Sequence, residues 1–131
     1  MSGLRGSATV GERLRLTWQG EGAPAQILDA AARAYFELTG VLAVADAEGR
    51  GPALYRRWEP GVDALRGDAA LTVEVRALGR RCAWMRLLWR STSASGRVDR
   101  VYCWRDRGGR AVAIPEAATI GVLALDGLNL T

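Results

Sequence analysis

The sequence predicts a single α+β domain in which a curved antiparallel sheet wraps around one long helix. Three observations lead to this fold class. One amphipathic helix comes early in the chain, long alternating strands follow it, and glycine-containing turns separate the strands. A single helix cannot cover both faces of a flat sheet of this size. We therefore expect the sheet to curl around the helix and a second copy to protect its edge.

The chain's 131 residues fit one domain. Residues 1–8 are mostly small and predict a flexible leader, so the domain itself spans residues 9–131. Its first strand covers residues 9–18, where polar positions alternate with apolar ones in a way typical of a half-buried strand. The apolar positions are Leu14, Leu16 and Trp18.

The helix begins at Pro24, because proline's missing N–H costs nothing at the first helical position. Apolar residues at helical spacing continue through residues 25–39, and Gly40 ends the helix. Residues 41–45 predict a short strand or apolar chain running over the core, and residues 46–52 predict a loop.

The second half of the chain predicts the main sheet. An extended segment begins near residue 54, and the alternation of apolar and polar residues then predicts three long strands. These strands cover residues 69–78, 82–91 and 98–106. A polar hairpin loop separates the last two, and the final fifteen residues predict a short helix or strand with a frayed tail.

All 18 basic residues are arginines, and 14 acidic residues are interspersed among them. The net charge of +4 gathers into no run longer than two basic residues, so we expect no nucleic-acid partner. No apolar run reaches the roughly 18 residues of a membrane span, and no signal peptide is apparent. We therefore expect no membrane association and a cytoplasmic location.

The chain contains no histidine, which excludes Ser-His and Cys-His triads. Cys82 and Cys103 fit no zinc spacing. Each falls in a predicted strand, where we expect a reduced thiol buried in the core. No carboxylate cluster suggests a metal site, so we expect neither a metal nor a cofactor.

Three turn motifs occur in order along the predicted strands: Arg66-Gly67-Asp68, Leu78-Gly79-Arg80-Arg81-Cys82, and Asp106 with Gly109-Arg110 and Ile114-Pro115-Glu116. Together they resemble motifs of the hotdog fold, specifically the 4-hydroxybenzoyl-CoA thioesterase-like family, over roughly residues 13–116. The resemblance implies a homodimer, or a tetramer built as a dimer of dimers. It also implies hydrolysis of an acyl thioester carried on coenzyme A or an acyl carrier protein.

The resemblance is poor where the family places its catalytic groups. With Trp18 laid on the family's aromatic strand end, the catalytic Asp position falls on Gly22 and the frequent His position on Gln26. Asp29 on the helix and Glu21 in the glycine turn are the candidate replacements for the base. Gln26 could orient a water, and the backbone N–H near Asp29 is the implied oxyanion donor. The resemblance further implies that Arg80 and Arg81 bind coenzyme A phosphates.

Because the usual acid is missing, catalysis stays open. The first alternative is a non-catalytic hotdog module that binds an acyl or aromatic ligand or a partner protein. The second is a small α+β cone of the polyketide-cyclase type, although that fold begins with helices and this chain begins with a predicted strand.

Overall fold

A computed structural model describes residues 2–7 and 13–126. Within them the chain forms six strands and three α-helices, and residues Val62–Ala64 form one 3-10 turn. The strands are β1 (Gly3–Ser7), β2 (Leu14–Gln19), β3 (Arg50–Trp58), β4 (Ala69–Leu78), β5 (Cys82–Ser91) and β6 (Ser95–Asp106). The helices are α1 (Pro24–Leu38), α2 (Val41–Glu48) and α3 (Glu116–Asp126).

All six strands lie in one antiparallel sheet with the order β1-β2-β4-β5-β6-β3. Strands β4, β5 and β6 are consecutive hairpins at the centre, and the first two match the predicted bounds at both ends. The sheet is curled into a half-barrel with α1 on its inner side, as the sequence predicts. Among the described residues, no helix is long and apolar enough to cross a membrane.

The core lies between α1 and the inner face of the sheet. Alternate residues of β4 and β5 are buried there, and β6 contributes the large rings of Tyr102 and Trp104. Helix α1 buries the face that carries Ile27, Leu28, Ala31, Ala32, Tyr35 and Phe36. Small alanines on this face let the helix approach the sheet closely, which favours the tight packing of the aromatic residues.

The short strand predicted for residues 41–45 is wrong, because these residues form the first turns of α2. Gly40 does end α1, but it adopts a left-handed conformation with φ of 79° and the chain immediately starts a second helix. A short apolar run does not distinguish a buried strand from a helix by its spacing. The predicted loop at residues 46–52 is likewise taken up by the end of α2 and the start of β3.

For the final residues the sequence leaves a short helix or a strand open, and the structure shows a helix, α3. Ala118, Val122 and Leu125 turn into the core. Gly121 lies directly against the carbonyl oxygen of Thr39 at the end of α1, where a Cβ atom would overlap that oxygen. The two helices can approach this closely only because position 121 lacks a side chain.

The segment expected to be a flexible leader contains an ordered strand. Residues Gly3–Ser7 form β1, which pairs antiparallel with β2 at the sheet edge, with Leu4 opposite Trp18. Short segments rich in Gly and Ser carry little strand signal of their own, so this pairing depends on β2. Residues 9–12, the start of the predicted first strand, lie outside the described residues.

The expectation of two reduced, buried thiols is also wrong. Cys82 and Cys103 form a disulfide bond between β5 and β6. The two residues are register partners on neighbouring strands, with their Cα atoms 4.1 Å apart. Both are half-buried and point to the outer face of the sheet rather than into the core. The sequence predicts both strands but gives no register between them, and only the register shows that the cysteines meet.

Candidate active site

The glycine turn between β2 and α1 is fixed from two sides. The N–H of Gly20 donates to Oδ1 of Asp68 at 2.7 Å, and Nε1 of Trp18 donates to the carbonyl oxygen of Gly20 at 3.0 Å. Gly22 lies so close to the Trp18 ring that a Cβ atom there would come within 2.7 Å of it. The position that the resemblance assigns to the catalytic acid therefore cannot hold a side chain unless Trp18 moves.

The N-terminus of α1 follows this turn and carries unpaired backbone donors. Ala23 makes no side-chain cap, and Pro24 at the first helical position has no N–H. The first N–H paired at this end of the helix is that of Ile27, which donates to the carbonyl oxygen of Ala23 at 3.1 Å. The N–H groups of Ala25 and Gln26 thus have no acceptor among the described residues, so they can polarise a carbonyl oxygen.

The oxyanion donor expected near Asp29 stays a prediction, and the free N–H groups at this helix end do not include that of Asp29 itself. Asp29 is the sixth residue of α1, so its own N–H lies inside the helix, where it bonds to the preceding turn. The free donors belong to Ala25 and Gln26, one turn earlier. A sequence alignment could not locate them, because they depend on the residue at which the helix begins.

A cavity of about 660 Å³ opens at this helix end. It brings together two predicted site residues, Glu21 from the glycine turn and Gln26 from the first turn of α1. Its other lining residues are Ser2, Gly22, Ala23, Arg66 and Gly67. The glycine turn, the helix start and the turn before β4 therefore converge on one polar recess.

Asp29 does not line this cavity, but it lies on the same side of α1. It is three residues beyond Gln26, which is about 4.5 Å further along the helix axis on the same face. Its side chain is 68% exposed, and its Oδ1 atom accepts a hydrogen bond from Nη1 of Arg100 at 2.8 Å. Asp29 is thus held at one carboxylate oxygen while the other faces solvent.

Arg100 is the residue that sequence reasoning missed. It lies on the inner face of β6 and is only 1% exposed. Its Nε donates to Oε1 of Glu59 at 3.0 Å, and its Nη1 also donates to the hydroxyl of Tyr102 at 3.1 Å. Its Nη2 is a buried donor with no partner among the described residues. An arginine at an apolar position of the alternating pattern is the sequence signal that could have revealed it.

The cluster shifts the ionisation of two groups. Burial opposes the charge of Arg100, yet its hydrogen bonds to Tyr102 and Asp29 and the negative charge of Glu59 raise its pKa above the ordinary value. Burial raises the pKa of Tyr102, and the hydrogen bond and charge of Arg100 only partly offset that increase. Arg100 therefore stays a cation, and Tyr102 stays neutral at physiological pH.

No family model and no curated protein matches the chain in sequence. Solved structures do resemble it. A hypothetical protein from Staphylococcus aureus in complex with CoA has a TM-score of 0.71 at 10% identity, with 95% of this chain and 90% of that chain covered. The chain has the hotdog fold.

Two further hotdog structures are similar at somewhat lower TM-scores. A thioesterase from Thermus thermophilus, complexed with coenzyme A and Zn, has a TM-score of 0.59 at 21% identity and covers 85% of each chain. A protein from Pseudomonas aeruginosa has a TM-score of 0.56 at 19% identity, covering 76% of this chain and 73% of that chain. The likeness confirms the predicted fold and removes the cone-shaped alternative.

Arg80 and Arg81 lie far from the cavity within one hotdog subunit. They occupy the exposed turn after β4, whereas the cavity lies before its first residue, about 30 Å away along the strand. Their backbone has a structural role, since the carbonyl oxygen of Arg80 accepts the N–H of Ile114 at 2.8 Å. Their binding of coenzyme A phosphates stays a prediction.

The described residues contain no group of three or more His, Cys, Asp or Glu side chains that could hold a metal ion. Asp29 on α1 and Glu59 after β3 are both engaged by Arg100 of β6. The free backbone N–H groups at the start of α1 can donate to a carbonyl oxygen, and the carboxylates beside them can position water and accept a proton.

Proposed function

We propose that the protein hydrolyses an acyl thioester carried on coenzyme A or an acyl carrier protein. The observation that carries the proposal is the pair of unpaired N–H groups at the start of α1, which open next to a recess containing Glu21 and Gln26. Donors held in place at a helix N-terminus stabilise the negative charge that develops on a carbonyl oxygen under attack.

In the proposed reaction, the thioester carbonyl oxygen accepts hydrogen bonds from the N–H groups of Ala25 and Gln26. Glu21 or Asp29 takes a proton from a water molecule as that water adds to the carbonyl carbon. Collapse of the tetrahedral intermediate breaks the carbon–sulfur bond and releases the thiol, which takes up a proton. The side-chain amide of Gln26 orients the water but cannot act as the base.

A second copy of the chain is part of this proposal. Strand β3 lies at a sheet edge and carries exposed Leu54, Tyr55 and Trp58, so its free backbone groups and apolar side chains favour pairing with another strand. Glu59, which binds Arg100, directly follows β3. Pairing through β3 would therefore place the partner subunit close to the Asp29–Arg100–Glu59 cluster. A cytoplasmic location also belongs to the proposal.

A panel of acyl-CoA and acyl-carrier-protein thioesters tests the activity, with release of free thiol as the readout. We expect Glu21→Gln or Asp29→Asn to lower kcat by about 100-fold, the effect typical of losing a general base. The matched control is Glu37→Gln, because Glu37 is exposed on the same helix, two turns beyond Asp29, and its partner among the described residues is Arg33. Absence of turnover across the panel would refute the proposal.

The second candidate function is a binding module without catalysis. The observation that favours it is that Arg100 already occupies one oxygen of Asp29, while Glu21 is the only carboxylate among the described residues that line the cavity. Under this alternative, acyl-CoA or aromatic acyl ligands raise the melting temperature of the protein but are recovered unhydrolysed. Turnover that is lost in Glu21→Gln would exclude it.

A further inference from the structure

The outer face of the sheet gathers arginines from all six strands. Residues at alternate positions of neighbouring strands share this face, because residues opposite each other in antiparallel pairs point the same way. By register and burial, nine of the 18 arginines lie there: Arg5, Arg13, Arg15, Arg56, Arg76, Arg86, Arg90, Arg97 and Arg105.

Only two acidic side chains share this face among the described strands, Glu74 and Asp99. Nine arginines and two acids give the face a formal charge of +7. The other described residues, with nine arginines and eleven acids, carry −2, and Glu12 lies outside the described residues. A net charge of +4 therefore conceals a strongly basic sheet face and an acidic remainder.

The few acids are shared between arginines and do not cancel the charge. Glu74 bridges Arg13 and Arg76, at 3.1 and 3.6 Å, and Asp99 binds two further arginines, at 3.1 and 3.3 Å. Arg15 and Arg90 are exposed and have no acidic partner among the described residues. Arg5, Arg56 and Arg105 likewise have no acidic partner among the described residues, so the edge near Arg5 and Arg15 is one of two parts of this face that carry unneutralised charge.

This unneutralised edge contains a depression of about 470 Å³ flanked by Arg5 and Arg15. Gln19 also lines it, and Gln19 pairs with Gly3, the neighbour of cavity residue Ser2. The depression on the outer face and the recess at the start of α1 thus meet around the same corner of the sheet. A molecule resting on the outer face could place a flexible arm in the recess.

We propose that the acyl group is delivered by a carrier protein with an acidic surface, which docks on the basic outer face beside Arg5 and Arg15. The inference rests on the proposed function and selects one of its two carriers. Charge complementarity favours the acidic partner and accelerates its association at low salt. Exposed Trp84 stands among the arginines of the same face, and Trp and Arg together are typical of protein interfaces.

The test compares one acyl group on three carriers: an acidic acyl carrier protein, coenzyme A and uncharged pantetheine. The variant is Arg15→Glu combined with Arg90→Glu, and the control is Arg33→Glu, which reverses an exposed charge on α1 at the opposite side of the sheet. We expect the double variant to raise KM for the acyl carrier protein at least tenfold. Its KM for acyl-pantetheine and its kcat stay within twofold of the starting values.

Binding of the carrier protein without its acyl group, measured by calorimetric titration, gives a readout independent of activity. We expect this binding to weaken at least tenfold in the double variant and also between 50 and 300 mM salt, but not in Arg33→Glu. Lost binding in the double variant, in a protein that hydrolyses nothing, would support the docking surface and refute the hydrolase.

Three outcomes would overturn the docking proposal while leaving the hydrolase intact. The first is hydrolysis of acyl-pantetheine by a protein that binds no acidic carrier. The second is an equal loss for acyl-CoA and the acyl carrier protein, which would assign the face to the phosphates of coenzyme A. The third is tighter binding of a single-stranded oligonucleotide than of the carrier, lost in the same double variant.

Discussion

Replacing Arg100 with methionine tests whether the buried ion cluster supports the fold or only the site. The variant keeps most of the side-chain volume but leaves Glu59, whose side chain is 13% exposed, as a buried carboxylate without its cation. Removing one partner of a buried pair costs about 3–5 kcal/mol. Asp29 is 68% exposed and regains water, so its lost pair adds less than about 1 kcal/mol. We expect Arg100→Met to lower the free energy of unfolding by about 3 kcal/mol.

Urea unfolding followed by tryptophan fluorescence measures this change, and a double-mutant cycle assigns it. Adding Glu59→Gln to Arg100→Met removes the stranded charge, so we expect the coupling between these residues to reach about 2 kcal/mol. The coupling of Arg100 with Asp29→Asn stays below about 1 kcal/mol. A loss under 1 kcal/mol in Arg100→Met, or equal coupling to both carboxylates, would contradict the burial argument.

Two further substitutions test neighbouring features. Burial raises the pKa of Tyr102 above its ordinary value of 10.0, so its stabilising contribution is complete below pH 10 and is lost as pH rises through the folded-state pKa. Between pH 8 and 11, the melting temperature of Tyr102→Phe should therefore fall less than that of the parent protein. In Tyr55→Phe, at an exposed position, this fall should equal that of the parent. Gly121→Ala forces a Cβ atom onto the carbonyl oxygen of Thr39 and should cost about 3 kcal/mol of unfolding free energy. The control is Gly79→Ala, whose added Cβ atom would lie 3.5 Å from its nearest neighbour, so we expect almost no change in unfolding free energy. A similar loss of unfolding free energy in both variants would refute the close-packing argument.

Much of the sheet and the long helix could be predicted from periodicity, because burial of one face of a strand or helix places apolar residues at regular intervals in the sequence. The three turn motifs were informative for a different reason, because each supplies an acceptor for backbone N–H groups. Asp68 holds the turn before α1, Asp106 accepts the N–H groups of Gly108 and Arg110, and the Arg80 turn binds Ile114. Asp106 acts within its own turn, whereas Asp68 reaches a turn 48 residues away, and in both cases a carboxylate oxygen accepts backbone N–H groups, which requires that residue type.

Most of the features that the sequence did not predict depend on register. The bond between Cys82 and Cys103, the arginines of the outer face, and the meeting of Asp29 with Arg100 arise between strands or between a helix and a strand. A pattern within one segment shows which side of that segment is buried, but not which residue of another segment lies opposite. Helix α2 was missed for a different reason: its short apolar run is compatible with either secondary structure.

The disulfide bond has a consequence for where the chain can fold. Neither Cys82 nor Cys103 belongs to the buried core, and hydrogen bonds of β5 and β6 already join the strands on both sides of the bond. Reduction would thus leave two half-exposed thiols on a surface that stays paired, with no cavity opened in the interior. Core packing and strand pairing do not require the oxidised pair, so the same fold is compatible with reducing and oxidising surroundings alike.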